Sequence, residues 1–384
     1  MAKFKELPIS PVALTDLVRR VEREKSVKVY RLDLAEPLFL PPDEAISETV
    51  NAVKSGYYRY TPPRGLPELV EAIQRYFKRT RGLEYSPEEI IVTPGAKFAV
   101  YAFFASVLEE GSEVVLITPF WVSFKAIPMM MGGKVVEVPM QRPHWRIEEE
   151  ALKQAVSKKC RAIVVNTPHN PTGAVHGLEE LKLIRDLAVD YNLYVLSDEV
   201  DWAYVYDEYK HISPATLDGL KERTLVVDSF SKVFCMTGWR VGFAAGPKEL
   251  IDDMLVVQQH SVSSPAAFAQ KACIPVLEKA EEYAAKIVEL CKWNRDYFYE
   301  KLSRIDGVEC VKPPGAFYFF PRVAKAEELR DGLAEKLIWE AHVAVAPGSL
   351  FGEQFKDHFR ACYALPKNYL QEAVDRLVEL LSRL

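Results

Sequence analysis

Seven short runs rich in valine and isoleucine punctuate the chain: EIIVTP, EVVLITP, KVVEVP, RAIVVNTP, LYVLSDEV, TLVVDSF and VGFAAGP. They are apolar without alternation, which suits strands buried on both faces of a mostly parallel sheet. Between them lie stretches such as PELVEAIQRYFKRT and GLEELKLIRDLAVDY, whose apolar residues recur at helical spacing. Alternating strand and helix predicts an α/β fold with helices on both faces of the sheet. The pattern changes near residue 280, where EKAEEYAAKIVELCKWNRDYFYEKL reads as one long charged helix. Strand-like pieces (GAFYFFP, VAVAPG, HFRACYAL) and a closing helix follow. The expected organisation is a large α/β domain over residues 45–282 and a smaller α+β domain from residues 1–44 and 283–384.

In such sheets ligands bind beyond the carboxyl ends of the strands, so the polar residues that follow each run are the informative ones. IIVTP leads into Gly95, Ala96 and Lys97, small residues at a helix start whose backbone N–H groups can hold a phosphate. VVLITP leads to Phe120 and Trp121, and AIVVNTP to His169, Asn170, Pro171, Thr172 and Gly173. YVLS ends at Asp198 and Glu199; LVVD ends at Ser229, Phe230, Ser231 and Lys232, with Arg240 eight residues beyond the lysine. A phosphate cradle, a flat aromatic, an amide, a carboxylate and a lysine at successive strand ends form a constellation that none of them makes alone.

Composition narrows the classes. Over 384 residues, 49% are hydrophobic and 27% charged, as in an ordinary globular protein with a sizeable core. A formal net charge of -5 argues against nucleic acid as the main partner. No apolar run approaches a membrane span, and the N-terminus lacks the apolar core of a signal peptide, so the expected compartment is the cytoplasm. The six cysteines form no C-x-x-C pair, and the histidines at 144, 176, 211, 260, 342 and 358 show no metal spacing, so no metal is expected.

The SFSKVFCMTGWRVGF stretch and the NPTG tetrapeptide resemble those of the class I aminotransferases, fold type I pyridoxal-phosphate enzymes, in the style of the aspartate and aromatic aminotransferases of archaea and bacteria. The likeness runs from about Leu32 to Leu380. It implies that Lys232 holds pyridoxal 5'-phosphate covalently and, once released, moves the proton between the substrate Cα and the cofactor. It implies that Asp198 pairs with the pyridine nitrogen, Asn170 donates to the phenolic oxygen and Trp121 stacks on the ring. Ser229 and Arg240, with the backbone of Gly95, Ala96 and Lys97, would take the phosphate. Tyr60 in YRYTPPRGLPELVEAI would reach the phosphate of a neighbouring subunit, which implies a homodimer with shared sites. Arg360 would bind the substrate α-carboxylate and Ala35 would approach it. The implied activity is ping-pong transfer of an amino group between an L-amino acid and a 2-oxoacid, through pyridoxal and pyridoxamine forms.

The sequence also departs from the family pattern. The family usually reads Asp-Glu-Ile-Tyr after the fifth strand, and that tyrosine donates to the phenolic oxygen; here Asp201 holds its place. Asp201 then either points away or is protonated, and Asn170 alone or Tyr204 supplies the donor. Ala35 replaces a glycine and His169 an asparagine. A dicarboxylic substrate needs a second cation; Arg64, delivered from the partner, is a candidate, and a solvated loop arginine is the alternative. Leu38 and Phe39 lean towards apolar or aromatic substrates. A carbon–sulfur β-lyase shares the same cofactor chemistry, and a ligand-sensing DNA regulator would need a basic domain ahead of this region.

Overall fold

The computed structural model describes Leu7 and residues 14–326 and 332–384; the rest of the first 13 residues, part of the predicted smaller domain, lie outside the described residues. Strand β1 is Tyr30–Arg31, β2 Ile90–Thr93, β3 Glu113–Thr118, β4 Lys134–Gln141, β5 Arg146–Ile147, β6 Cys160–Asn166, β7 Tyr194–Asp198, β8 Thr224–Ser229 and β9 Gly242–Ala245. The last eight form one sheet in the order β2-β9-β8-β7-β6-β3-β4-β5. From β8 to β4 neighbours run parallel, whereas β9 is antiparallel to both β2 and β8, and the two-residue β5 is antiparallel to β4.

Each of the seven Val/Ile-rich runs supplies one of these strands. Their lack of alternation has the predicted cause. Val114 and Leu116 pack on one face with Phe103 and Phe104 of the helix Ala96–Val107, while Val115 and Ile117 pack on the other with Leu181 and Ile184 of the helix Leu178–Asp190. Strand order reverses between β3 and β6, and that crevice is where a doubly wound sheet receives its ligand.

The helix Ala280–Leu302 opens the C-terminal region, which is built from small sheets. Tyr30 of β1 pairs in parallel with Val343, so the two ends of the chain meet. Tyr318–Phe319 and Ala346–Pro347 flank Phe359–Cys362 in a three-stranded antiparallel sheet. That sheet carries Arg360 and Tyr318 to the mouth of the crevice. No helix among the described residues is long and apolar enough to cross a membrane.

Candidate active site

A cavity of about 340 Å³ opens at the carboxyl ends of the parallel strands. It falls in the size range of small-molecule sites. Ala35, Ala96, Lys97, Trp121, Asn170, Asp198, Ser229, Lys232, Arg240 and Arg360 all line it, although they come from eight separate loops and strand ends. Gly95 sits directly beneath: its φ is +82°, and a Cβ there would stand 2.5 Å from Arg240 Nη2, so the close approach of the arginine requires glycine. Arg240 itself takes a left-handed conformation, φ 54°, and donates through Nη1 to the Thr237 carbonyl at 2.9 Å.

Lys232 follows β8 directly. Its ammonium donates to the carbonyl of Ala35, which lies on the N-terminal segment. Burial lowers its pKa, with the nearby Arg360 charge acting the same way against Asp201 and Glu36. A lysine held in this way is closer to the neutral amine that acts as a nucleophile and base. Burial likewise lowers the pKa of Lys97, helped by the charges of Arg240 and Lys232, and its Nζ lies 5.1 Å from the centre of the Trp121 ring.

Asp198 ends β7 and is 5% exposed. Burial pushes its pKa up to about 7; the Val200 N–H holds it down, while Asp201 and Asp228 add to the rise. A buried carboxylate of this kind is short of a positive partner, which a protonated ring nitrogen would provide. Asn166, at the end of β6, fixes the neighbourhood: its Nδ2 donates to the Asp198 carbonyl at 3.1 Å and its Oδ1 accepts from the Asn170 backbone at 2.8 Å. Asn166 is a polar residue that ends an otherwise apolar run, and that position is its signal in the sequence. Arg360, 2% exposed, donates to Asn170 Oδ1 at 3.0 Å and to the Asp33 carbonyl at 2.6 Å. Its Nε is buried without a partner among the described residues. With Oδ1 engaged by Arg360, the Asn170 amide nitrogen is the end left to donate into the cavity.

Two expectations, for Arg64 and Tyr204, meet a different placement, while Tyr60 was expected at a neighbouring site and not at this one. Tyr60 is 91% exposed and does not line the cavity of its own chain. Arg64 is committed elsewhere: it donates to the carbonyls of Glu88 and Ile90 at 2.6 and 3.1 Å and pairs with Asp252 at 3.0 Å, which corrects its candidacy as a second substrate cation. Tyr204 does not reach in, because its hydroxyl donates to the Lys232 carbonyl at 3.0 Å. Asp201, in contrast, does not point away. It lines the cavity, 1% exposed, and burial pushes its pKa up to about 7 against the pull of Lys232 and Arg360.

The raised carboxyls of Asp198 and Asp201 make a prediction about the unloaded protein. A carboxyl whose folded pKa exceeds its unfolded value makes the folded state bind more protons, so stability present below the unfolded pKa near 3.8 is lost as pH climbs to about 7. Asp201→Asn is therefore expected to raise the melting temperature of the unloaded protein by a few degrees at pH 8, with the gain closing towards pH 4. Thermal melts across that range check it; an equal gain at both ends contradicts the raised carboxyl.

Beneath the cavity lies a buried ionic cluster. Arg81 pairs with Glu199 at 2.9 Å and with Asp228 at 2.6 Å, all three side chains at most 1% exposed. Glu199 also accepts from Ser197 at 2.9 Å and Ser213 at 2.5 Å and meets His211 Nε2 at 2.9 Å, while Tyr76 donates to Asp228 at 2.7 Å. Burial pushes the Glu199 pKa up, but His211, Arg81 and Ser213 outweigh it and hold it at about 2. The cluster joins the residue after Asp198 to the residue before Ser229. It thus fixes the spacing of the strand ends that bear the site.

The residues fit an anionic ligand with a cationic ring: Arg240 and the glycine cradle at one end, Asp198 in the middle, Arg360 at the other, with Lys97 on the wall beside Trp121. The fold and this arrangement define a transferase of the pyridoxal-phosphate type. The chain belongs to the aminotransferases of class I and II, whose family pattern matches residues 27–377. It is 37% identical to an aspartate aminotransferase of Geobacillus stearothermophilus over 96% of this chain and 95% of that one. It is 35% identical to aromatic-amino-acid aminotransferase 2 of Thermococcus litoralis, over 96% and 94%. The structure of an aspartate aminotransferase from Thermus thermophilus with maleate superposes with a TM-score of 0.91 at 35% identity, covering 99% of each chain. These likenesses favour transamination over the carbon–sulfur lyase reading.

Proposed function

We propose that the protein exchanges an amino group between an acidic L-amino acid and a 2-oxoacid, with pyridoxal 5'-phosphate held in the cavity described above. The observation that carries this reading is the convergence of Lys232, Asp198, Asn170, Arg240 and Arg360 on one cavity. When bound, the cofactor supplies the electron sink for the bond broken at Cα. The chain supplies the rest. Arg360 orients the substrate by its α-carboxylate, a two-point contact for which its unpaired Nε is available. The Lys232 amine takes the Cα proton. Asp198 holds the ring nitrogen in its protonated state, and Gly95, Ala96, Ser229 and Arg240 neutralise the phosphate. Thr237 donates to Glu36 across the mouth, tying the N-terminal segment over the bound substrate.

Lys97 supports an acidic side chain. It brings a second ammonium to the cavity wall beside Trp121, whereas Arg64 is engaged in its own chain. Aspartate or glutamate should then exceed phenylalanine in kcat/KM. Lys97→Met should cut the value for aspartate by roughly tenfold, about one lost charged contact, and spare phenylalanine. Equal losses for both substrates would assign Lys97 to the cofactor instead.

We also propose a homodimer. The helix Asp43–Lys54 leaves Ile46, Val50 and Val53 more than 40% exposed, next to exposed Tyr58 and Tyr60. An apolar strip of this kind suits burial against a second copy, which would bring Tyr60 to the neighbouring cavity. A sedimentation mass of one 43.6 kDa chain would contradict it.

A further inference from the structure

Besides Arg360 Nε, two buried polar atoms in the cavity, Asp201 Oδ1 and Tyr318 Oη, make no well-formed hydrogen bond among the described residues. Their residues are 1% and 0% exposed. Buried polar groups are seldom left unpaired, and two in one cavity mark where a ligand atom completes the set. The rest of the cavity shows which atom. Arg360 lies 5.0 Å above the Tyr318 ring and is bonded to Asn170, so Tyr318 stands on the same side of the cavity as the Asn170 amide. Tyr318 reaches that place from its own short strand, paired with Cys362 two residues beyond Arg360. Aspartate carries its carboxyl on a single methylene. Its tip therefore stops short of where a tyrosine hydroxyl at position 201 would stand, and the volume left is open to a hydroxyl from elsewhere.

We propose that Tyr318 donates the hydrogen bond to the cofactor's phenolic oxygen that a tyrosine at position 201 would otherwise give, and that Asp201 is short in order to admit it. The inference rests on the proposed cofactor and adds a residue to its site. An ionised Asp201 would repel the same oxygen. The groups facing Asp201 are Lys232 and Arg360, Tyr318, Asp198 and Asp228, and those facing Tyr318 are Asp201, Arg360, Cys362 and Asp198. Among them burial dominates and keeps Asp201 protonated to about pH 7. The tyrosine donor and the neutral acid are then compatible neighbours.

The test uses the protein loaded with pyridoxal phosphate and follows its visible absorbance from pH 5 to 10. A donor to the phenolic oxygen stabilises the deprotonated form of the chromophore, so its loss moves the midpoint upward. Tyr318→Phe, which removes an oxygen whose polar neighbour in the site is the Asp201 carboxyl, is expected to raise the midpoint by about one pH unit, a tenfold change. Tyr204→Phe should leave it in place, because that hydroxyl serves the Lys232 carbonyl. Asp201→Asn, a neutral side chain of the same shape, should shift a midpoint below about pH 7 by less than about 0.3 unit, because the acid it replaces is neutral there. A titrating yellow protein whose midpoint ignores Tyr318→Phe, or falls steeply with Asp201→Asn, overturns the Tyr318 assignment alone. A protein that takes up no cofactor overturns the cofactor reading and this inference together.

Discussion

Lys232→Ala is expected to lower turnover of every amino acid and oxoacid pair by at least about 10⁴-fold, since it removes both the covalent anchor and the proton carrier. The loss should fall on kcat, because Arg360 and the phosphate cradle remain to bind the substrate and the cofactor. Folding should survive. Among the described residues the lysine's ammonium hydrogen-bonds the Ala35 carbonyl alone, and that carbonyl opens onto the cavity, where water can replace it. Steady-state rates beside a melting curve check both statements. A variant that keeps more than about a hundredth of wild-type kcat would mean that another base serves Cα.

The second large effect lies beneath the site. Arg81→Met would leave Glu199 and Asp228 buried without their shared cation. Breaking a buried ion pair from one side costs about 3–5 kcal/mol, so the unloaded protein should lose a corresponding part of its stability to urea. The methionine can still pack where the guanidinium lay, 4.7 Å from the Trp202 ring centre and 5.1 Å from that of Tyr76. The lost stability is therefore chiefly electrostatic. A second variant, Arg81→Met with Glu199→Gln and Asp228→Asn, should recover much of it. A single-variant loss below about 1 kcal/mol would show that the cluster is replaceable, in the manner of a surface pair.

These two residues mark the limits of what the sequence discloses. Lys232, Asp198, Asn170 and Trp121 are legible because each stands next to a Val/Ile run, and strands buried on both faces end at one edge of the sheet whatever follows them. The helices Pro67–Arg81 and Leu178–Asp190 are legible from their apolar spacing. The direction of β9 is not, because a run buried on both faces looks the same in either orientation. Arg81 was hidden in the basic helix end KRTRG, which reads as solvated. The signal was its place: Leu69, Ile73, Tyr76 and Phe77 form a buried stripe that continues to position 81, so a charge there needed a buried partner. Tyr318 was hidden for another reason. Asp201 lies more than a hundred positions away in the chain, and only the fold puts position 201 and position 318 in one cavity. The Asp201 departure was visible in the sequence, but what fills the space it leaves was not.

Absorbance of the loaded protein during addition of a single amino acid, with no oxoacid present, tests the central claim most directly. We expect a yellow protein whose visible band is lost stoichiometrically on addition of aspartate or glutamate, with release of one oxoacid per site, and is restored by a second oxoacid. A band that persists while pyruvate and ammonia accumulate from a cysteine conjugate, or a protein that never turns yellow with pyridoxal phosphate, would contradict it.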